Sequence, residues 1–242
     1  MEKLRIRERE ILPLVQGGMG VGVSAHRLAG AVAEAGGMGT ISSVDLRRHH
    51  PDLMAASGRD KKAIDAANLE ALDREIRAAR ERAGGRGLIA VNVMRAVEQY
   101  APYVRQACLS GADAIVVGAG LPLDLPELVA DFPGVMLIPI LSESRAVGLV
   151  LKRWQRKGRL PDAIIIEHPR YAGGHLGAAK LEELQDARFD FDRVIPEIHA
   201  IYDQLGIARD AIPVIAAGGI NSPRRLRAAL KAGASAVQVG TA

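Results

Sequence analysis

Eight short apolar runs, each followed by a helical pattern, restrict the possible folds of this chain more than any other feature of its sequence. The runs are "LPLVQ" (12–16), "MGTISS" (38–43), "LIAVNVM" (88–94), "AIVVGAG" (114–120), "VMLIPIL" (135–141), "AIIIE" (163–167), "PVIAAGG" (213–219) and "AVQVG" (236–240). They are apolar at successive positions, as strands covered on both faces must be, and that is the mark of a parallel sheet. Between them lie "SAHRLAGAVAEAG", "NLEALDREIRAARERAG", "AVEQYAPYVRQACLSG", "LPELVADF", "ESRAVGLVLKRWQRKG", a mixed stretch from Leu181 to Leu205, and "SPRRLRAALKAG". Several of these end in glycine, the common helix stop. Eight such units predict an α/β fold of the (β/α)8 TIM-barrel type, one domain over residues 1–242. The pattern reaches the chain end just after the eighth strand, so no final barrel helix is expected to cover strands one and eight, and copies of the chain are expected to associate. Residues 44–68, "VDLRRHHPDLMAASGRDKKAIDAAN", are too long for an ordinary strand-to-helix loop and are expected to form an insertion over the active face.

Composition removes several function classes. The net charge of +4 comes from arginines spread along helical patterns, and aromatics make up only 3% of residues, too few for base-stacking recognition of nucleic acid. The single cysteine excludes an internal disulfide and a cysteine zinc cluster and suits a reducing compartment. No H-E-x-x-H spacing suggests another metal site, so none is expected. The opening "MEKLRIRERE" alternates charges without an apolar centre, unlike a signal peptide, and no run is long enough to span a bilayer. The expected location is the cytoplasm.

Glycine marks the strand ends. "GGMGVGVSAHRLAG" (17–30) follows the first run, and its Gly20, Gly22 and Ala25 fit the dinucleotide pattern G-x-G-x-x-A, with Asp45 about 20 residues further on. "VIAAGGINSP" and "ASAVQVGT" place further glycines after strands seven and eight, where barrels commonly bind phosphate through loop N–H groups. A barrel makes the dinucleotide match coincidental and sets "QGGMG" against the rest of a phosphate-bearing cofactor at the same mouth.

Side chains that can do chemistry are few. His175, in "EHPRYAGGHLGA", sits on a glycine-lined turn after the sixth strand, where imidazole can move a proton near neutral pH or simply cap backbone groups. His168 ends the same strand. His26, His49, His50 and His199 read as surface or cap residues. Asn92 and Gln238 interrupt apolar strands, and burial obliges a ligand or a loop to satisfy each amide. Ser142 suits either a phosphate contact or the cap of the following helix. Met19 can cover a planar ring or fill core, and Cys108, four residues after Val104, reads as helix packing.

In order, "LPLVQGGMG", "VNVM", "AGGHLG", "PVIAAGGI" and "GASAVQVGT" resemble the motifs of the FMN-dependent nitronate monooxygenases, which are similar to the flavin enoyl-acyl-carrier-protein reductases. The resemblance runs from about residue 12 to the chain end. It implies a TIM barrel with FMN at its mouth. By motif, Gly17, Gly18 and Met19 line the flavin, Asn92 contacts its rings, and Gly173 approaches it. Gly218, Gly219, Gly240 and Thr241 hold the phosphate, with Gln238 nearby. Glu167 stands where the family has glutamine or glutamate, although His168 replaces the glycine that normally follows. His175 matches the catalytic histidine. The implied reaction is oxidation of a nitronate by oxygen to a carbonyl compound and nitrite, with His175 taking the α-proton when a neutral nitroalkane binds. The competing readings are an NAD(P)H-dependent enoyl or quinone reductase and a non-catalytic flavin-binding barrel.

Overall fold

The computed structural model describes residues 2–172 and 180–240. Ten strands and eight α-helices are formed by these residues, and eight of the strands close into a parallel barrel. The barrel strands are β3 (Leu14–Gln16), β4 (Met38–Ser42), β5 (Leu88–Met94), β6 (Ala114–Gly118), β7 (Met136–Leu141), β8 (Ile164–Glu167), β9 (Val214–Ala217) and β10 (Ala236–Val239). All eight fall on the apolar runs of the sequence. Closure is made by β10, which pairs in parallel with β9 on one side (Val237 opposite Ala216) and β3 on the other (Val237 opposite Leu14).

Alternation along each strand divides two cores. In β5, Leu88 and Ala90 point into the barrel, while Ile89, Val91 and Val93 face the helices. In β7, Met136 and Ile138 point inward and Leu137 points outward. The outer core is completed by Leu72, Ile76, Val104, Leu151, Trp154 and Tyr202 from the surrounding helices. Each fully buried side chain of this size contributes roughly 1.5–3 kcal/mol, so the helix layer is what holds the barrel strands in place.

The remaining two strands were not foreseen. The charge-rich amino terminus forms an antiparallel hairpin, β1 (Leu4–Ile6) and β2 (Arg9–Ile11), with Leu4 opposite Ile11. Leu4, Ile6 and Ile11 are buried with Leu88, Ala114, Met136 and Ala236, the first residues of their strands, so the hairpin plugs the N-terminal end of the barrel. Arg7 fixes the plug through Asp162 (Nε to Oδ1, 2.5 Å) and donates to the Pro133 carbonyl (2.9 Å). With the bottom closed, the mouth at the strand C-termini is the open end.

The helices are α1 (His26–Glu34), α2 (Pro51–Ser57), α3 (Lys61–Ala83), α4 (Tyr100–Leu109), α5 (Leu125–Leu128), α6 (Ser144–Gln155), α7 (Phe191–Leu205) and α8 (Pro223–Lys231). Two boundaries differ from the sequence expectation. The helix expected from Asn68 starts at Lys61, because the Asp60 carboxylate accepts from the Ala63 N–H (2.7 Å) and caps it there. Residues 44–68 are therefore largely helical: a 3-10 turn (Leu46–His49), α2 and the first turns of α3. The stretch from Leu181 to Leu205 is broken into 3-10 turns at 181–185 and 187–189 before α7, with Asp186 accepting from Arg188 N (2.9 Å) at the break.

Candidate active site

The C-terminal ends of the barrel strands enclose a cavity of about 620 Å³. Its wall takes Gly17 to Gly20 from the loop after β3, Asn92 and Met94 from β5, Gly118 at the end of β6 with Ala119 after it, and Ile140 from β7. Glu167 ends β8 and Tyr171 lies in the 3-10 turn after it, Gly218 to Asn221 follow β9, Gln238 lies in β10 and Gly240 follows it.

The glycine loop is braced from below by a residue not singled out in the sequence. Gln16, buried at the end of β3, places Nε2 2.9 Å from Thr40 O and 2.6 Å from both Gly17 O and Ser24 Oγ, while its Oε1 accepts from Thr40 N (3.0 Å). Ser24 Oγ in turn accepts from Met19 N (2.8 Å). The loop's path is thus set by a buried polar network, which is rigid when all its members are satisfied. Gly17 N donates to Val239 O (2.8 Å) and ties the loop to the closing strand.

Small residues let this wall approach its neighbours. A Cβ on Gly18 would stand 2.4 Å from Asn92 Cβ, and one on Gly17 would stand 3.4 Å from the Gln238 amide nitrogen. Gly218 and Gly219 have φ of +95° and +71°, a region costly for other residues. Among the described residues, the backbone N–H groups of Gly218, Gly219 and Gly240 find no backbone acceptor. The side-chain amides of Asn92 and Gln238, facing the cavity, likewise hydrogen-bond to nothing among the described residues. No loop among the described residues satisfies them, and both are open to whatever enters the cavity.

Among the described lining residues Glu167 is the one acid. Burial pushes its carboxyl up to about 7, so it is substantially protonated near neutral pH. Groups held in this way cluster at sites that handle protons or charge.

Of the twelve site residues read from the sequence, Gly17, Gly18, Met19, Asn92, Glu167, Gly218, Gly219, Gln238 and Gly240 line this cavity. Gly173, His175 and Thr241 lie outside the described residues. His168 turns away: its ring packs on Tyr171, Phe189 and Phe191 at 5.3, 6.3 and 6.3 Å, with Nε2 3.4 Å from Asp190 Oδ1. Its Nδ1 accepts from Arg170 N (3.3 Å), a cap. Ser142 is buried but caps no helix, and its hydroxyl is without a partner among the described residues. Asp45, the ribose candidate of the dinucleotide pattern, is instead paired with Arg47 and Arg48. Cys108 is buried in α4, as the packing reading expects. His26 and His50 meet at the buried Glu75, at 2.7 and 3.1 Å, and none of the three lines the cavity. Sequence reasoning missed Gln16, although it interrupts an apolar strand just as Asn92 and Gln238 do. It also missed Tyr171, which has no periodicity to mark it.

Among the described residues no three His, Cys, Asp or Glu side chains are grouped to hold a metal ion, and no helix is long and apolar enough to cross a membrane.

A family model described as nitronate monooxygenase matches residues 6–242. The nitronate monooxygenase of Pseudomonas aeruginosa is 30% identical over 260 residues, which cover 95% of this chain and 65% of the relative. The chain therefore spans about two thirds of that relative's length. Among solved structures, FabK from Thermotoga maritima superimposes with a TM-score of 0.65 at 26% identity, covering 94% of this chain and 57% of FabK. A nitroalkane oxidase from Streptomyces ansochromogenes gives a TM-score of 0.65 at 22% identity, over 94% of this chain and 64% of its own, a likeness of fold.

Proposed function

The chain belongs to the nitronate monooxygenase family, and from that membership together with the barrel mouth we propose that it is an FMN-dependent oxidoreductase. Its reaction is oxidation of an alkyl nitronate by oxygen to a carbonyl compound and nitrite. The observation that carries this reading is the set of unsatisfied donors around one cavity. Among the described residues the N–H groups of Gly218, Gly219 and Gly240 bond no backbone acceptor and suit a phosphate, and the amides of Asn92 and Gln238 bond nothing and suit a heteroaromatic ring edge. Anions are well held by clustered backbone N–H groups, and Gly17 and Gly18 give the cavity a wall without side chains.

In this reading Gly17, Gly18, Met19, Asn92, Glu167, Gly173 and Gln238 surround the ring system, and Gly218, Gly219, Gly240 and Thr241 hold the phosphate. The bound flavin supplies the electron transfer; the chain supplies position, charge and proton movement. His175 takes the α-proton of a neutral nitroalkane or, as imidazolium, holds the nitronate's charge. Glu167, whose burial favours the neutral carboxyl, spares the anionic substrate part of a second negative charge in the cavity. The cytoplasm is the setting we assign, in keeping with a single buried cysteine.

Heat release of the cofactor followed by mass measurement, with oxygen uptake on nitronate addition, tests the proposal. FMN together with nitronate-dependent oxygen uptake is the expected result. FAD, or no flavin after reconstitution, overturns it. FMN bleached by NAD(P)H without nitronate turnover replaces it with a reductase, and FMN with neither reaction replaces it with a non-catalytic flavin-binding barrel.

A further inference from the structure

Arg225 lies in the first turn of α8, outside the set of residues assigned above. Its Nη1 donates to the Gly219 carbonyl (2.7 Å), and its guanidinium carbon sits 5.3 Å from the centroid of the Tyr171 ring. Gly219 and Tyr171 both line the cavity. A Cβ on Gly219 would fall 2.7 Å from Arg225 Nη1 and 2.9 Å from the Tyr171 ring, so the absence of a side chain there is what lets the two residues close over the turn. Stacking on an aromatic face restrains a guanidinium that would otherwise sample many rotamers.

Arg225 makes no ion pair among the described residues, and the undescribed stretch 173–179, "GGHLGAA", contains no Asp or Glu. One carbonyl uses a small part of a guanidinium's five donors. A carbonyl cap alone requires neither full charge nor an aromatic shelf. Both are useful beside a turn whose N–H groups find no backbone acceptor among the described residues, because an anion held there gains a charge-assisted partner.

We propose that Arg225, held on Tyr171, is a specificity-determining residue that makes this cavity prefer a ligand ending in a phosphate monoester over the same ligand without the phosphate. The inference rests on the flavin reading and deepens it: Arg225 discriminates FMN from riboflavin, and Tyr171 is the residue that positions it.

The test is titration of the cofactor-stripped chain with FMN and, separately, with riboflavin, followed by quenching of flavin fluorescence. The native chain, R225Q, R225K and R227Q are compared, with the melting temperature of each stripped variant recorded. Losing one charged hydrogen-bonding partner should weaken FMN roughly tenfold to a hundredfold in R225Q, while riboflavin changes by less than about twofold. R225K, which keeps the charge but not the fork, should keep much of the preference and serves as the main variant if R225Q does not fold. R227Q removes the same charge from the same helix and should leave both affinities in place. Equal weakening of both flavins in R225Q overturns the proposal, since it shows Arg225 only supporting the Gly219 turn; so does an equal effect of R227Q, which would be diffuse charge. A native chain that binds both flavins equally overturns the proposal and leaves the flavin reading standing, and one that binds neither overturns both.

Discussion

Glu167 should make the cofactor-free protein lose stability as pH rises, which is opposite to the behaviour of most carboxylates. Its carboxyl is pushed from an ordinary 4.5 to about 7, and among the described residues burial is the only cause. The folded protein therefore holds this proton more tightly than the unfolded chain. Below pH 4.5 both states are protonated and the group's favourable contribution is fully present; it is lost as pH climbs through 7. With about 1.4 kcal/mol for each pKa unit, the difference between pH 4 and pH 8 is about 3 kcal/mol, an upper figure because solvent reaching the cavity screens part of it. Glu167→Gln keeps the shape and carries no titrating proton. Urea unfolding of both proteins across pH 4 to 8 isolates the effect, because every other titrating group is common to the two and cancels. The free energies should agree at the acid end and separate toward alkaline pH, with E167Q the more stable by up to about 3 kcal/mol. Parallel curves would show that the carboxyl is solvated in the folded state. A native protein that gains on E167Q with rising pH would show that a positive charge reaches Glu167, and burial would then be the wrong cause.

Two further outcomes follow from the site and the core. His175→Ala should leave flavin binding nearly intact but cut turnover of a neutral nitroalkane by on the order of a hundredfold or more, with preformed nitronate much less affected, as steady-state oxygen uptake on the two substrates will show; equal losses would make His175 a binding residue. Gly39→Ala should destabilise strongly, because the new Cβ would lie 1.8 Å from the Ala29 carbonyl oxygen of α1, a backbone atom with no rotamer to relieve it. The expected loss exceeds the roughly 1–3 kcal/mol of ordinary overpacking, and a melting temperature within a degree or two of the native value would mean that α1 does not pack on β4 as closely as described.

The barrel strands were legible because their signal is local. Parallel strands clad on both faces need uninterrupted apolar residues, and all eight runs could be read without knowing what they pair with. The hairpin was not legible. In "LRIRERE" the alternation of Leu4 and Ile6 with arginines is a strand pattern, but three residues of it among so many charges say nothing without the hole at the barrel's base that Leu4, Ile6 and Ile11 fill. The start of α3 was missed for a smaller reason: Asp60 is one acid among several, and its capping bond to Ala63 is visible only in the fold.

The site divides in the same way. The positive φ values at Gly218 and Gly219, and the close wall at Gly17 and Gly18, are requirements that only glycine meets, so the residue type itself announced them. Asn92 and Gln238 could be marked as polar residues needing partners, yet only closure of the barrel showed that both line one cavity, with no partner among the described residues. Gln16 carried the same mark in the sequence and found its partners in Ser24 and Thr40. The proton affinity of Glu167 and the seating of Arg225 on Tyr171 depend on residues far apart in the chain. A sequence fixes backbone preference and side-chain chemistry residue by residue; which groups lose water, and which charges stand alone, is decided when distant segments meet.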